Sequence, residues 1–357
     1  MKILKLLFMC TALALLAAGC AAITPQVVEP EPEPEAVGAI AEFFPFNENR
    51  LITMDRTDFG LETSYTIFTD SNRMQRLTSV GGFMVVEVFE INDGELKVNH
   101  ARIMASGFEP LLDKVDEVPM VILREPLKLG NSWETHTGPT TQGVARGTST
   151  ITAVNVEIET PYGLAEAIEV TTEFENGTID ISYFARGMGL VQSGHFIQGF
   201  ERQQESGRFF MEDINVDLTL SSIRENTPLT VELQVFHPND DADDLDYTQA
   251  SFNFMTNDDI RAGFEQVLRN PGNRHGIISE NTVVNFIDIS WVSLPDNPGF
   301  EAAAVHLDLS EDFSLDMQVG ISYEQLILTS LEATFVTFFN AQEFVLTVGG
   351  RPHVSIH

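Results

Sequence analysis

Cysteine is nearly absent from this sequence. Two occur among 357 residues, Cys10 and Cys20, both within the first twenty. The body beyond them can form no internal disulfide, so packing must supply its stability. Basic residues are scarce as well: Lys and Arg number 20 against 53 Asp and Glu, a formal net charge of −33. That imbalance argues against nucleic acid, whose phosphates need Lys and Arg, and against lying flat on an anionic bilayer. It fits a soluble exported body that repels its neighbours. Beyond the amino terminus no apolar run reaches the ~20 residues that a membrane-spanning helix needs. Neither His-Glu-x-x-His nor Gly-x-Ser-x-Gly occurs, so two common local signatures of hydrolases are missing.

What is present begins with Lys2 and Lys5, an apolar stretch through Leu6, Leu7, Phe8 and Met9 to Ala12–Ala18, and the small residues Ala17-Ala18-Gly19 before Cys20. A basic start, a short apolar middle and a small-residue cut site make a cleavable secretory signal over residues 1–19. Leu16-Ala17-Ala18-Gly19-Cys20 also resembles the bacterial lipobox, with Ala17 where leucine is commonest. That resemblance implies lipidation of Cys20 by a diacylglyceryl group and further acyl chains of the palmitate class. Two chains anchor stably where one is marginal. The expected location is therefore the outer face of the cell membrane, in the cell envelope. Residues 20–41 read as a tether, with Pro30, Pro32 and Pro34 alternating with Glu29, Glu31, Glu33 and Glu35. Such a spacer is stiff and extended, ~3.1 Å per residue, and could hold the body up to about 60 Å from the bilayer.

From 42 to 223 the pattern is strand-like. Runs rich in β-formers at 63–69, 83–91, 147–159, 165–174 and 178–184 are separated in part by turns such as Asn92-Asp93-Gly94 and Asn176-Gly177. Antiparallel strands in a sandwich or curved sheet are expected. The segments Phe43-Phe44-Pro45-Phe46, Pro126 to Trp133, Thr160 to Gly163 and Gly187-Met188-Gly189-Leu190-Val191 resemble a β-rich domain of bacterial lipoproteins, one with no activity to transfer. Residues 228–351 change character. The spacing predicts a helix over 258–268 capped by Asn257, strands at 229–236, 282–290, 304–309 and 344–348, and a second helix over 323–339 opened by a Ser322/Gln325 capping box. That helix should bury Ile327, Leu331, Phe335 and Phe338 and turn Glu324, Ser330, Glu332 and Thr337 outward. The β-α-β-β-α-β order, carried by Val305 to Phe313, Glu324 to Phe339 and Phe344 to Gly350, resembles the GerMN domain of sporulation and spore-germination lipoproteins. The fold class expected is thus α+β: a β-rich domain followed by a smaller α/β domain, joined by a linker at 224–228.

Candidate chemistry is sparse. The acidic run with Asn239, Asp241 and Asp243 is the best metal candidate, since calcium takes several oxygens from one loop. An EF-hand would need Gly where Asp244 stands and Glu where Ala250 stands, so a solvated turn between strand and helix is the simpler reading and no metal is assigned. Gly187-Met188-Gly189 lacks the third glycine of a dinucleotide fingerprint and reads as a tight turn. His353 and His357 share helical spacing but sit at the carboxyl end. His306 and Asp308 fall on one face of a strand, and Trp133 and Trp291 read as core or rim aromatics. No catalytic residue and no cofactor is expected. The function that follows is a non-catalytic binding or assembly module with peptidoglycan or an envelope protein as partner, sporulation or germination being implied by resemblance alone. Two rivals are an envelope hydrolase using carboxylates assembled by the fold, and a carrier of an apolar ligand inside the β domain.

Overall fold

The computed structural model describes residues 34–104, 107–137, 145–197, 215–272, 276–293, 301–317 and 320–353. Cys20, the expected signal, most of the expected tether and His357 lie outside the described residues. From Ala36 onward the chain packs as one compact unit.

A one-turn helix, α1 (Ile40–Phe43), precedes twelve strands. These are β1 (Leu51–Arg56), β2 (Gly60–Thr69), β3 (Arg73–Val80), β4 (Phe83–Asn92), β5 (Glu95–Met104), β6 (Met120–Arg124), β7 (Ser132–His136), β8 (Arg146–Thr160), β9 (Gly163–Phe174), β10 (Thr178–Ala185), β11 (Gly189–Ile197) and β12 (Asn215–Arg224). All twelve form one antiparallel sheet, ordered β6-β5-β4-β3-β2-β1-β12-β11-β10-β9-β8-β7. Tight hairpins set most of the register. At Asn92-Asp93-Gly94-Glu95 both central residues have positive φ, 52° and 71°, the twist-matched turn that Asp-Gly favours. One long-range pairing, Leu51 opposite Arg224, joins the two ends. The sheet then curls until its outer strands meet. Trp133 Nε1 and Thr135 Oγ1 of β7 donate to the Val121 carbonyl of β6 at 3.3 and 2.9 Å, so side chains nearly close the barrel where a ladder would.

The interior is plugged from the amino terminus. Ile40 and Phe43 are fully buried. The Phe44 ring lies 5.1 Å from Phe89 on β4 and 6.4 Å from Phe184 on β10, on distant strands of the sheet. The same cluster takes in Leu96, Leu123, Trp133, Ile151 and Val170. Main-chain bonds fix the entry: Val37 N–H to Leu127 O at 2.9 Å and Gly187 N–H to Glu42 O at 2.6 Å. Arg186 pairs with Glu42, sits over the Phe43 ring and donates to Val37 O. The segment from 36 to 41, expected as tether, is therefore part of the folded body.

Past the barrel come a hairpin of β13 (Leu229–Pro238) and β14 (Leu245–Phe254), helix α2 (Ile260–Arg269), β15 (Val284–Ser293), β16 (Glu301–Leu309), a short α3 (Asp312–Asp316), α4 (Ile321–Phe339), β17 (Ala341–Val348) and β18 (Arg351–Pro352). The hairpin stands as a separate two-stranded sheet, and β15-β16-β17-β18 form another, with β16 and β17 parallel. Helix α4 lies against β13, β16 and β17 together. Packing on more than one side explains why its face is wider than periodicity implied: Glu324, Ser330 and Thr334 are buried alongside Ile327, Leu331 and Phe335. Its start also differs from expectation. Gly320 at φ 118° is the cap, and no side-chain cap bond is made. Asp259, not Asn257, caps α2 by accepting from Arg261 N–H. Asn257 instead ties the module to β2, accepting from Thr69 N–H and donating to Thr69 O.

The α+β expectation is overturned. Strand far outweighs helix, and a twelve-stranded, nearly closed barrel dominates. Nor does the carboxyl-terminal part stand as a small α/β domain. One apolar cluster joins Tyr65, Ile67, Leu77, Val86 and Val88 of the barrel to Phe254, Phe264, Leu307 and Phe335 beyond it. The physical reason is a surface that neither part covers alone. Barrel strands β2–β4 present an apolar face on their second side, and the hairpin with its helices buries it.

Candidate functional site

A deep concavity lies where these two parts meet. Its volume is about 520 Å³, within the range typical of small-molecule and peptide pockets. The barrel wall supplies Leu51, Tyr65, Leu77 and Met84, with Phe108 from the segment after β5. The facing wall is β13 from Leu229 to Gln234, and Phe338 of α4 closes one end. The local reasons are visible in the sequence. Alternation on β2 and β3 sends Tyr65 and Leu77 to this side, while Ser64 and Thr78 turn to the other and hydrogen-bond each other at 3.0 Å. Tyr65 is 2% exposed, and its hydroxyl donates to the Phe254 carbonyl at 3.2 Å. Burial holds that phenol above its ordinary value, with hydrogen bonds from Thr256 and Leu229 opposing. Phe108 stands 5.0 Å from Phe254 and 6.2 Å from Phe338. An aromatic line thus floors the cleft and fixes the hairpin to the barrel.

A second, smaller cavity lies on the barrel side. Beside Phe44, Met74 and Arg76 it offers about 60 Å³, too small for an apolar cargo needing ~300 Å³ or more. The cleft has room for an apolar ligand; this cavity does not.

No family model, curated protein or solved structure matches this chain. The site is therefore read from its own chemistry.

The residues singled out by sequence fall as follows. Asn239, Asp241 and Asp243 sit in the β13–β14 hairpin turn, not between strand and helix. Asn239 organises that turn, its amide donating to Asp243 Oδ1 at 2.7 Å and its carbonyl accepting from Asp243 N–H at 3.1 Å. Among the described residues no group of three or more His, Cys, Asp or Glu is placed to hold a metal. Gly187-Met188 forms the β10–β11 turn. Trp133 is 3% exposed and belongs to the plugged core; Trp291 lies in β15.

His306 and Asp308 do come together, through a third residue. Thr347 Oγ1 donates to Asp308 Oδ1 at 2.5 Å and lies 2.9 Å from His306 Nε2. Asn285 Nδ2 and Gly350 N–H also donate to Asp308, each at 2.8 Å. Burial alone would push this carboxyl up; the three donors outweigh it and hold it below the usual range. The network joins β15, β16 and β17 to the turn before β18, and its carboxylate is 3% exposed. It pins strands, and its residues line neither the cleft nor the smaller cavity.

Two clusters escaped sequence reasoning. His353 Nε2 meets Glu324 Oε1 at 2.9 Å, with side chains 7% and 2% exposed. On β10–β12, His195 Nδ1 lies 2.5 Å from Asp217 Oδ2. That hydrogen bond raises His195, while burial raises the neighbouring Asp180 despite the histidine. A histidine beside two acids is the electrostatic half of a hydrolase site, but Asp180, His195 and Asp217 line neither the cleft nor the smaller cavity. The strand-to-strand spacing that assembles them leaves no local motif.

Proposed function

We propose that this chain is a lipid-anchored protein of the bacterial cell envelope whose body binds a partner and does not transform it. The cleft between barrel and hairpin is its binding site. The observation that carries this reading is the cleft itself: about 520 Å³, with walls of Leu51, Leu77, Met84, Phe108 and Phe338. Apolar area withdrawn from water contributes roughly 25 cal/mol per Å², so such walls favour an occupant. The signal and the cysteine at 20 support the location, and the acidic body supports an exported, monomer-like surface.

Two experiments test the proposal. Cys20→Ser should leave the protein unlipidated, shifting it from the detergent phase to the aqueous phase in phase partitioning; a lipid mass persisting on the variant would remove the anchor from the reading. The soluble body, residues 21–357, should be retained on purified cell wall or on immobilised envelope proteins. Ser79→Trp, a change at an exposed cleft-wall residue, should abolish that retention while leaving the fold within about 0.5 kcal/mol. Retention unaltered by Ser79→Trp would move the site elsewhere. Muropeptides released from the wall would overturn the non-catalytic reading.

A further inference from the structure

Helix α4 covers only part of one edge of β13. Among the described residues strand β13 pairs with β14 alone, and the ladder runs without a register shift from Leu229–Phe254 to Pro238–Leu245. In an antiparallel strand, alternate residues send N–H and C=O to opposite edges. Phe236 N–H points away from β14, donating to Thr334 Oγ1 of α4 at 3.0 Å. By alternation Thr230, Glu232 and Gln234 present their main-chain groups on that same second edge. Among the described residues no strand lies there, and all three positions border the cleft. Helix α4 stops the edge at Phe236, and Thr337 and Phe338 close the cleft's end just beyond it.

Resting on the reading of this cleft as a binding site, the geometry points to its occupant: an extended peptide segment of another envelope protein, added as a third strand along Thr230–Gln234. Three observations converge on that chemistry. First, a row of unpaired N–H and C=O groups is what an extended chain recognises, and an apolar small molecule would leave them unsatisfied. Second, a strand docked there turns alternate side chains toward Leu51, Leu77, Met84 and Phe108, which suits Val, Ile or Leu at every other position. Third, the intervening side chains point toward solvent beside exposed Glu232 on a chain of formal net charge −33, which favours Lys or Arg there. The chain's own tether is a poor occupant, because Pro30, Pro32 and Pro34 lack ladder donors and the glutamates between them meet like charge.

The probe is a blocked seven-residue peptide alternating lysine and valine, used with the full-length protein in detergent. Binding is followed by anisotropy, and amide hydrogen exchange is followed across β13. The peptide should bind and slow exchange at Thr230, Glu232 and Gln234, whereas Val231 and Leu233, already in the ladder, should change little. N-methylation at alternate peptide residues should weaken binding more than tenfold in one of the two phases and little in the other, since only one set of amides faces β13. Replacing the lysines with glutamate should weaken binding at least tenfold. Glu232→Pro removes one edge donor without touching the β14 ladder and should abolish binding; if that variant does not fold, the N-methylated peptides decide. Equal loss in both methylation phases, or binding without amide protection, would overturn strand addition. If a fluorescent fatty acid occupies the cleft and the peptide does not, the peptide inference fails while the cleft remains a binding site. If neither probe binds, both fail. Concentration-dependent protection of the β13 edge without peptide would assign the edge to a second copy of this chain and overturn the partner named here.

Discussion

Gly263 shows how tightly single residues are committed in this molecule. It lies on α2 where the helix crosses β14, and a Cβ there would come within 2.3 Å of the Phe252 ring. In an exposed helix, alanine would be better than glycine by about 1 kcal/mol. Here the overlap reverses the sign. Gly263→Ala is expected to destabilise by roughly 1–3 kcal/mol, read as a lowered urea midpoint with unchanged slope. Asp308 is committed electrostatically. Its carboxyl titrates below the ordinary aspartate value, so the native state binds its proton less readily than the unfolded state. Its stabilisation is present above that value and is lost as pH falls through the lowered native value. Asp308→Asn should cost about 2 kcal/mol at neutral pH and flatten the acid limb of the stability curve. An unchanged acid limb in the variant would mean that other carboxylates set it.

At the scale of elements, α1 and Phe44 make the sharpest case. A chain beginning at residue 36 should melt with the full-length protein. A chain beginning at 47 loses Ile40, Phe43 and Phe44, and burying one such aromatic is worth about 3–5 kcal/mol. It should show a large drop in Tm by calorimetry, or no cooperative transition. The same elements show what sequence could and could not reveal. Helix α2 was legible because Ile260, Phe264, Val267 and Leu268 recur at helical spacing and Asn270-Pro271-Gly272 ends it. Helix α4 was legible in extent. Its buried Glu324 and Ser330 were not, because they face neighbours that periodicity does not name. Strand β14 was missed: the acidic run before it looked like the approach to a helix, although Ala250, Phe252 and Phe254 alternate with polar residues. Phe43-Phe44 read as the start of a strand domain, and only the folded barrel shows them as its filling. The cleft was illegible for a plainer reason, since its walls come from Leu51 to Phe338 and no local pattern encodes their meeting.

The whole molecule is held together by a core that ignores the sequence boundary at 224–228. Phe108 and Phe68 of the barrel part meet Phe254, and Phe254 adjoins the cluster around Phe264. Cutting the chain at 226 should leave both pieces with apolar faces in water. We expect each to melt well below the intact protein, or without cooperativity, and the two to re-form a complex when mixed, as seen by size exclusion. Two independent melts at the intact temperature would show that the junction contributes little.

The plug also dictates an order in time. Ile40 N–H is held by Glu125, 85 residues later, and Glu42 by Arg186, 144 residues later. On the export route proposed above the amino terminus emerges first, yet the seat for Phe44 is missing until β10 has formed, and β1 waits longer still for β12. Pairings of such separation close slowly, because the intervening chain must lose its freedom before they form. The earliest segment to emerge is among the last to settle. Anchored at Cys20 as proposed, the protein would thus spend its unfinished interval already fastened to the membrane, completing its barrel at the surface.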